Sequence, residues 1–429
     1  MKKDRTKKPA GKAPFRVERP ASSAGSCPPE GGVEPRRALL QVVLAEGFRS
    51  VQEILEADRE ELCGPAHRWQ AERQAYRHGH DEGQLVLGGR KVRVKKPRVR
   101  RAGGKEIPLP SWQQFASEDP LRHRVLEQVA AGVSARDYGR TLEEVPADLG
   151  ATLPSRSSVS RRLVAATEKH MKEFLERPLG ELDLPVLMLD GRGMGDHLLV
   201  IALGIDRTGA KHVLGVVEGS TESEAVARRL LEDLIRRGLP VERARLFVID
   251  GGKGLRKAIK TVFGSWAVVQ RCQVHKLRNV LEHLPEGKRA WVRAAIRRAW
   301  SAASATKAKG QLRDLAARLD DDHPGAGASL LEGLDETVTL LGLGASGWLL
   351  KTLSTTNAIE NVQGTLARVA RNVKRWQDGE MALRWGVTGL LVAEKKFRRL
   401  KGHRDLPQLL AALDALVGAP TLDRKAQVA

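Results

Sequence analysis

Five short apolar runs between Leu184 and Gln270, broken by turns and two amphipathic stretches, constrain the fold of this chain more than any other feature. Pro185-Val-Leu-Met-Leu-Asp190 is the first, and His197 to Asp206 the second. Lys211 to Glu218 is the third, after an Asp206-Arg-Thr-Gly turn. Thr221 to Arg237 is predicted to be a helix, capped by Ser220 or Thr221 and stopped by Gly238. Ala244 to Asp250 is the fourth run, Gly254 to Phe263 a second helix, and Ala267 to Gln270 the fifth run. Apolar runs of this length, bounded by turn residues, suit buried strands. Three strands in succession, then helix, strand, helix, strand, predict a compact mixed α/β unit.

Asp190 and Asp250 each end one of these runs, and each is followed by glycine. A carboxylate at a strand end is placed to line the open crevice where sites in α/β sheets lie. Asp-Gly is also a common turn pair, so each one alone reads rather as turn chemistry. At equivalent places on two strands, the site reading gains ground. A third acid, Glu360, stands in Ser354-Thr-Thr-Asn-Ala-Ile-Glu360. Ser354, Thr355 or Thr356 is placed to cap a helix, which sets Glu360 within its first turns. Arg368 and Arg371 follow at separations near Glu360's face of that helix, at about 100° per residue. The competing reading is a surface helix with ordinary ion pairs. Three carboxylates suit two Mg2+ or Mn2+ ions, hard cations that take oxygen ligands and retain waters and phosphates. Paired ions of that kind serve phosphoryl transfer.

The net charge of +21 over 429 residues is concentrated. Residues 1–30 carry +5, residues 88–105 carry +9 and residues 361–404 carry +8, leaving a nearly neutral remainder. One such block is an ordinary solvated face or tail; three favour a polyanionic partner, most often nucleic acid. No window of about 18 apolar residues is present, which argues against a membrane span. The basic N-terminus has no apolar stretch behind it, unlike a secretory signal. Cys27, Cys63 and Cys272 make no disulfide framework, and a reducing compartment fits them best.

Residues 1–35 read as a disordered basic arm, and 36–180 as an N-terminal DNA-binding region. An apolar pattern at helical spacing runs from Pro35 to about Glu60. A small basic β-hairpin is expected over 84–101, turning at Gly88-Gly89. Its second strand alternates valine with base, so Arg90, Lys91, Arg93, Lys95, Lys96 and Arg98 are candidate phosphate contacts. The alternative is an edge strand protected by charge. Residues 130–165 read as a helix-turn-helix, with Arg161 and Arg162 on the second helix, or as a plain helical linker. Residues 286–350 read as wholly helical, with Trp291, Trp300 and Trp348 in their core. Residues 356–400 are predicted helical again, and a C-terminal helix and tail occupy 405–429.

Six segments together resemble bacterial insertion-sequence transposases of the Mutator superfamily. They are Val186-Leu-Met-Leu-Asp-Gly191; Lys211-His-Val-Leu-Gly215 with Thr221-Glu-Ser-Glu224; Val248-Ile-Asp-Gly-Gly-Lys253; Gln270-Arg-Cys-Gln-Val-His-Lys276; Thr355-Thr-Asn-Ala-Ile-Glu360; and Arg371-Asn-Val-Lys-Arg-Trp376. The resemblance covers about residues 60 to 415. It implies an α/β fold with a ribonuclease-H-like catalytic core over 181–285 and 351–404, interrupted by an all-helical insertion at 286–350. It implies a catalytic, metal-binding triad of Asp190, Asp250 and Glu360. The implied chemistry is metal-dependent cleavage at transposon ends followed by strand transfer into target DNA, both in-line displacements at phosphorus. Terminal inverted repeats and target DNA are the implied partners. A homo-oligomer on DNA and a bacterial, cytoplasmic, nucleoid-associated location also follow from it.

Cys272-Gln-Val-His275 matches a Cys-x2-His motif of the superfamily. As a zinc site it is half a set, and a structural role shaping the site is the stronger reading. Lys276 beside it is a candidate phosphate contact, as is Lys253 after the Asp250-Gly-Gly turn; solvated faces are the alternatives. Lys374, Arg375 and Trp376 close the list, with Trp376 either stacking on an unpaired base or anchoring a C-terminal helix. His197 and His212 are expected to be structural. Many relatives carry a base seven positions after the catalytic glutamate, whereas this chain has Ala367 there, with Arg368 one residue later. That departure motivates the second function class, a catalytically inactive transposase-derived DNA-binding protein. A nuclease without strand transfer is the third.

Overall fold

The computed structural model describes residues 35–68, 75–87, 90–101, 103–117, 127–129, 131–142 and 151–418. The expected arm over 1–35 lies outside them save for Pro35, which opens the first helix. The tail beyond residue 418 also lies outside them.

A mixed five-stranded sheet holds the middle of the chain. Its strands are β4 (Val186–Met194), β5 (His197–Ile205), β6 (Lys211–Gly219), β7 (Arg245–Ile249) and β8 (Ala267–Arg271), in the order β6-β5-β4-β7-β8. β4, β5 and β6 are antiparallel neighbours, whereas β7 and β8 run parallel to β4. The turn between β5 and β6 is built by Asp206, whose Oδ1 accepts from the Thr208 and Ala210 backbone N–H groups. Asp206 Oδ2 lies 2.9 Å from His212 Nε2, and His197 Nδ1 lies 2.8 Å from Glu218 Oε1, so both histidines are engaged within the sheet.

The strands are apolar on both faces because both are covered. Val186 and Met188 point to one side and Leu187 and Leu189 to the other, the period-two alternation of a strand. The second face packs on α4 (Glu224–Arg236) and α5 (Lys253–Phe263) through Leu230, Leu234, Leu255 and Ile259. The first face packs on α12 (Asn357–Val369), α13 (Gly379–Glu394) and α14 (Leu406–Gly418). α4 starts at Glu224 with Ser223 as its cap, later than the Ser220 or Thr221 expected from sequence. The helical pattern over 356–400 is likewise divided. α12 ends at Val369, and residues 373–378 form an irregular link before α13.

Between β8 and α12 the chain is helical: α6 (Gln273–Glu282), α7 (Glu286–Trp300), α8 (Ala305–Asp320), α9 (Pro324–Leu331), α10 (Thr339–Gly342) and α11 (Gly347–Leu353). α6 to α9 enclose their own core of Val280, Val292, Ile296, Leu312 and Leu330, whereas Leu340, Leu349 and Leu353 of α10 and α11 join the first-face core of the sheet. Trp300 belongs to the former core, its indole N–H donating to Thr337 Oγ1 at 3.2 Å. Trp291 and Trp348 do not. They are about half exposed, and Trp348 carries the Lys401 ammonium 3.3 Å above its ring. A large ring on a helix flank can be covered by lysine stems instead of a core, as Trp348 is by Lys351 and Lys401.

Upstream, α1 (Pro35–Cys63) and α2 (Pro110–Ser117) flank a small sheet of β1 (Ala75–Leu87), β2 (Arg90–Arg101) and β3 (Glu106–Ile107). β1 and β2 are antiparallel. β1 begins at Ala75, well before the start at Gln84 read from sequence, because its first half is polar and carries a bulge between Arg77 and His80. Leu85, Val92 and Val99 are buried against Val51 and Leu55 of α1. α3 (Arg156–Glu176), capped by Ser155, leads into the central sheet. Of the expected helix-turn-helix, residues 131–142 form turns and a single 3-10 turn, while residues 130 and 143–150 lie outside the described residues.

Candidate active site

Asp190 is not at the end of its strand. It sits within β4, opposite Ile201 of β5. The crevice arises differently: the pairing of β4 with β7 stops at Met188, and β7 itself ends at Ile249. Past that point β4 continues with β5 alone, so Asp190 faces the gap left by the departing chain. Asp250 is the first residue of that departure. Its Oδ1 accepts from the Gly252 N–H at 2.8 Å, and Asp190 Oδ1 accepts from Gly191 N–H at 3.0 Å.

Glu360 reaches the same place from α12, in its first turn. Thr356 Oγ1 donates to Glu360 Oε1 at 2.6 Å, and His275 Nδ1 lies 3.9 Å from the same oxygen. Gln363, one turn further along α12, donates from Nε2 to the Gly191 carbonyl at 3.2 Å and so ties the helix to β4.

The structure adds a carboxylate that sequence reasoning passed over. A β-carbon built on Gly191 would stand 2.5 Å from Glu222 Oε2, and one on Gly252 would stand 2.5 Å from Glu222 Oε1. The missing side chains at both places leave room for the Glu222 side chain between β4 at Gly191 and the turn that follows Asp250. The signal was present in the Thr221-Glu-Ser-Glu224 motif, but nothing in the spacing says which of its two acids turns inward.

The electrostatics follow from this crowding. Burial, then the neighbouring Asp250, pushes the Asp190 carboxyl up to about 6. Glu360 adds a smaller push in the same direction, while the Gly191 N–H and His275 work against it. Burial, then Asp250 and Asp190, pushes Glu222 up to about 7. Like charges held together out of water favour protonation, or the arrival of a cation. Among the described residues no three His, Cys, Asp or Glu side chains stand close enough to form a ready metal cage.

Cys272 is fully buried at the start of α6, and its N–H donates to the Ile249 carbonyl at 2.7 Å. Burial opposes ionisation of its thiol, yet hydrogen bonds with His275 and Thr356 hold it below the usual range. His275 is held above its usual range, first by the bond to Cys272.

The candidate phosphate contacts divide. Lys253 is exposed on the first turn of α5 and lines a groove of about 540 Å³ with Arg256, Lys257, Lys260 and Thr261. Lys91, Arg93 and Lys95 are exposed on β2. Arg90 is buried. Lys96 lies 5.3 Å from the Trp112 ring centre, and Arg98 pairs with Glu106 at 3.3 Å. Arg161 is exposed and Arg162 half-buried on α3. Lys276 does not face solvent. It is fully buried, donates to the Glu332 carbonyl, and burial together with Arg271 lowers its ammonium to about 8. Its helical phase points it into the insertion, which the linear motif does not reveal. Arg368 is exposed on α12, whereas Arg371 lies beyond the end of that helix. Arg371 Nη2 and Asn372 Nδ2 both donate to the Gly132 carbonyl, at 3.3 and 2.6 Å. Lys374 and Arg375 are exposed in the link, and Trp376 is half-buried against Gly195 and the first-face core.

The chain was compared with known proteins. The model of the family "Transposase, Mutator family" matches residues 41–398. The transposase for insertion sequence element ISRM5 of Rhizobium meliloti is 29% identical over 346 residues, covering 80% of this chain and 85% of that protein. The transposase for element IS6120 of Mycolicibacterium smegmatis is 30% identical over 55% of this chain and 72% of its own length. That for element IS406 of Burkholderia multivorans is 26% identical over 80% and 88%. With the match spanning the hairpin, the sheet and all the acids above, the chain belongs to the Mutator family of transposases.

Proposed function

We propose that this protein cleaves insertion-sequence DNA ends and transfers them to target DNA through a triad of Asp190, Asp250 and Glu360. The observation that carries this is the meeting of Asp190 on β4, Asp250 after β7 and Glu360 on α12 at the opening between β4 and β7, with α12 tied to β4 by the Gln363–Gly191 bond. Acids 60 and 110 residues apart in sequence, one strand-borne, one loop-borne and one helix-borne, have no structural reason to converge partly buried.

The donor set fits Mg2+ or Mn2+. All its atoms are hard carboxylate oxygens, and the raised Asp190 and Glu222 carboxyls mark a place where added positive charge is favourable. Asp190, Asp250 and Glu360 would hold two ions. When bound, such ions supply charge neutralisation at phosphorus and activation of the attacking oxygen. The protein's own residues position the phosphate. Lys253 leads a line of bases along α5 from beside Asp250, and Arg368 stands two turns beyond Glu360. Charge brought close to a reacting phosphate in a partly dry crevice acts more strongly than it does in water.

We read the sheet as a ribonuclease-H-like core. The support is its order, β6-β5-β4-β7-β8, with three antiparallel strands followed by two parallel ones. The helices from α7 to α11 then form an insertion ahead of Glu360. The exposed bases of β2 fit the DNA backbone at terminal inverted repeats, and a homo-oligomer would pair two such ends. A strand-transfer assay with labelled terminal-repeat duplex, target plasmid and Mg2+ or Mn2+ tests this. Joined products are expected. Nicked but never joined DNA points to a nuclease, and binding without cleavage to an inactive DNA-binding protein.

A further inference from the structure

Thr356 occupies the cap position of α12 but does not cap it. A threonine there ordinarily accepts from a backbone N–H two or three residues ahead. Here the hydroxyl donates instead to Glu360 Oε1 at 2.6 Å. Thr356 Oγ1 also lies 3.3 Å from Cys272 Sγ and 3.3 Å from His275 Nδ1. Thr356 and Cys272 are both fully buried.

A hydroxyl has one proton to give and two lone pairs to receive with, and an ionised carboxylate only accepts. The shortest contact, to the charged partner, takes the proton. Cys272 Sγ is the weaker, competing acceptor for that proton, and His275 presents Nδ1–H to the lone pairs of the hydroxyl. The Cys-x2-His spacing explains why both neighbours face the same oxygen. Cys272 sits at the start of α6 and His275 in its first turn, on one side of the helix. The cluster is also tied to the other acids. Cys272 N–H donates to the carbonyl of Ile249, the residue before Asp250. Gln273 N–H donates to the carbonyl of Ser354, two residues before Thr356, at 2.9 Å.

We propose that Thr356 is a positioning residue for Glu360, with Cys272 and His275 orienting its hydroxyl, so that the Cys-x2-His motif serves as a brace between Asp250 and Glu360 rather than as half of a zinc site. Holding one carboxylate oxygen fixes the rotamer and thereby where the other stands. This rests on the reading of Glu360 as a member of the triad.

The test uses the full chain with terminal-repeat DNA and Mn2+, reading Mn2+ binding by electron paramagnetic resonance, cleavage kinetics and thermal melting. Thr356→Val, nearly the same shape without the hydroxyl, should weaken Mn2+ binding and turnover by about 10–100-fold, the range for outer partners of metal ligands. KM for DNA should hold, and Thr356→Ser should restore most of the loss. Should Thr356→Val not fold, His275→Leu against His275→Asn decides. Asn keeps an N–H near the place of Nδ1, so it should retain function where Leu loses it. In wild type, 15N spectra should show the Nδ1–H form of His275. Thr356→Val equal to wild type, or His275→Leu equal to His275→Asn, overturns the proposal if Glu360→Gln is inactive. A fully active Glu360→Gln overturns the triad reading itself.

Discussion

The two sheets of this protein treat charge in opposite ways. The central sheet is largely apolar on both faces, and acids are drawn together at one opening: Asp190 within β4, Asp250 after β7, and Glu222 against the glycines that follow near each. The N-terminal sheet buries one row of β2 and turns Lys91, Arg93 and Lys95 outward. Exposed bases cost the fold almost nothing, because water solvates them and they can be spread along a surface. Clustered acids under partial burial raise each other's proton affinity. A fold does not keep such a cluster for stability. The difference teaches where specificity of function lies: the bases track a backbone, and the acids wait for a particular charge.

The largest expected effect breaks the acidic side of this comparison. Asp190→Ala or Asp250→Ala should reduce strand cleavage by about a thousandfold or more, the upper range for removing one electrostatic element of a site. DNA affinity in a gel-shift titration should stay near wild type. Undiminished cleavage would mean the opening between β4 and β7 is not the active site.

On the basic side, replacing Lys91, Arg93 and Lys95 together by Gln should weaken DNA binding. It should also flatten the dependence of log affinity on log salt, by up to about 2.7 if all three meet phosphate. Filter binding across a salt series reads both. A slope equal to wild type would reduce these residues to a solvated edge.

Arg368 and Arg371 sharpen the comparison further, because they look alike in sequence and differ in place. Arg368→Gln should lower turnover by about tenfold with little change in DNA affinity, as expected for a base beside the reacting phosphate. Arg371→Gln removes a bond to the Gly132 carbonyl, so proteolysis near residue 132 should speed up before turnover falls. If both variants behave the same, the end of α12 at Val369 does not matter functionally.

The smallest effect is on stability. In Asp190 the carboxyl is pushed up to about 6 in the fold, above its ordinary value. The folded protein therefore holds that proton more tightly than the unfolded chain. Relative to acid, the native state loses stability as pH rises through about 6, and Glu222 extends the loss toward about 7. Asp190→Asn removes this repulsion. Its Tm should exceed wild type by a few degrees at pH 8 in the absence of divalent ions, and by much less at pH 5. An equal change at both pH values would deny the repulsion.

Much of the central sheet was legible because buried strands announce themselves. Val186 to Leu189, Leu199 to Leu203 and Leu246 to Ile249 are apolar runs too short for helices, and the structure makes them strands. β1 was legible only in its second half, where Leu85 and Leu87 are buried; Tyr76 to Gln84 are mostly polar, and their pairing with β2 is what makes them a strand. Asp190 and Asp250 stood out for the glycines after them. The reason first given, two strand ends, holds only for Asp250, since β4 runs on to Met194. By their neighbours in sequence, Lys276 and Arg371 look like phosphate contacts. A helix phase buries one and a helix end anchors the other, and both are set by what packs nearby.

What the sequence determined by itself was local: which segments pair as strands, where helices start within a few residues, where the bases cluster and which acids follow apolar runs. Each of these is fixed by the side-chain period and by turn chemistry over a handful of residues. The tertiary structure decided everything that depends on distance across the fold. It brought Glu222 over a glycine of β4 and another beyond the end of β7, set Cys272 and His275 against Thr356 some 80 residues away, and turned Lys276 inward. No short-range pattern encodes those meetings. They follow from the order in which strands join the sheet and from the faces that helices must bury.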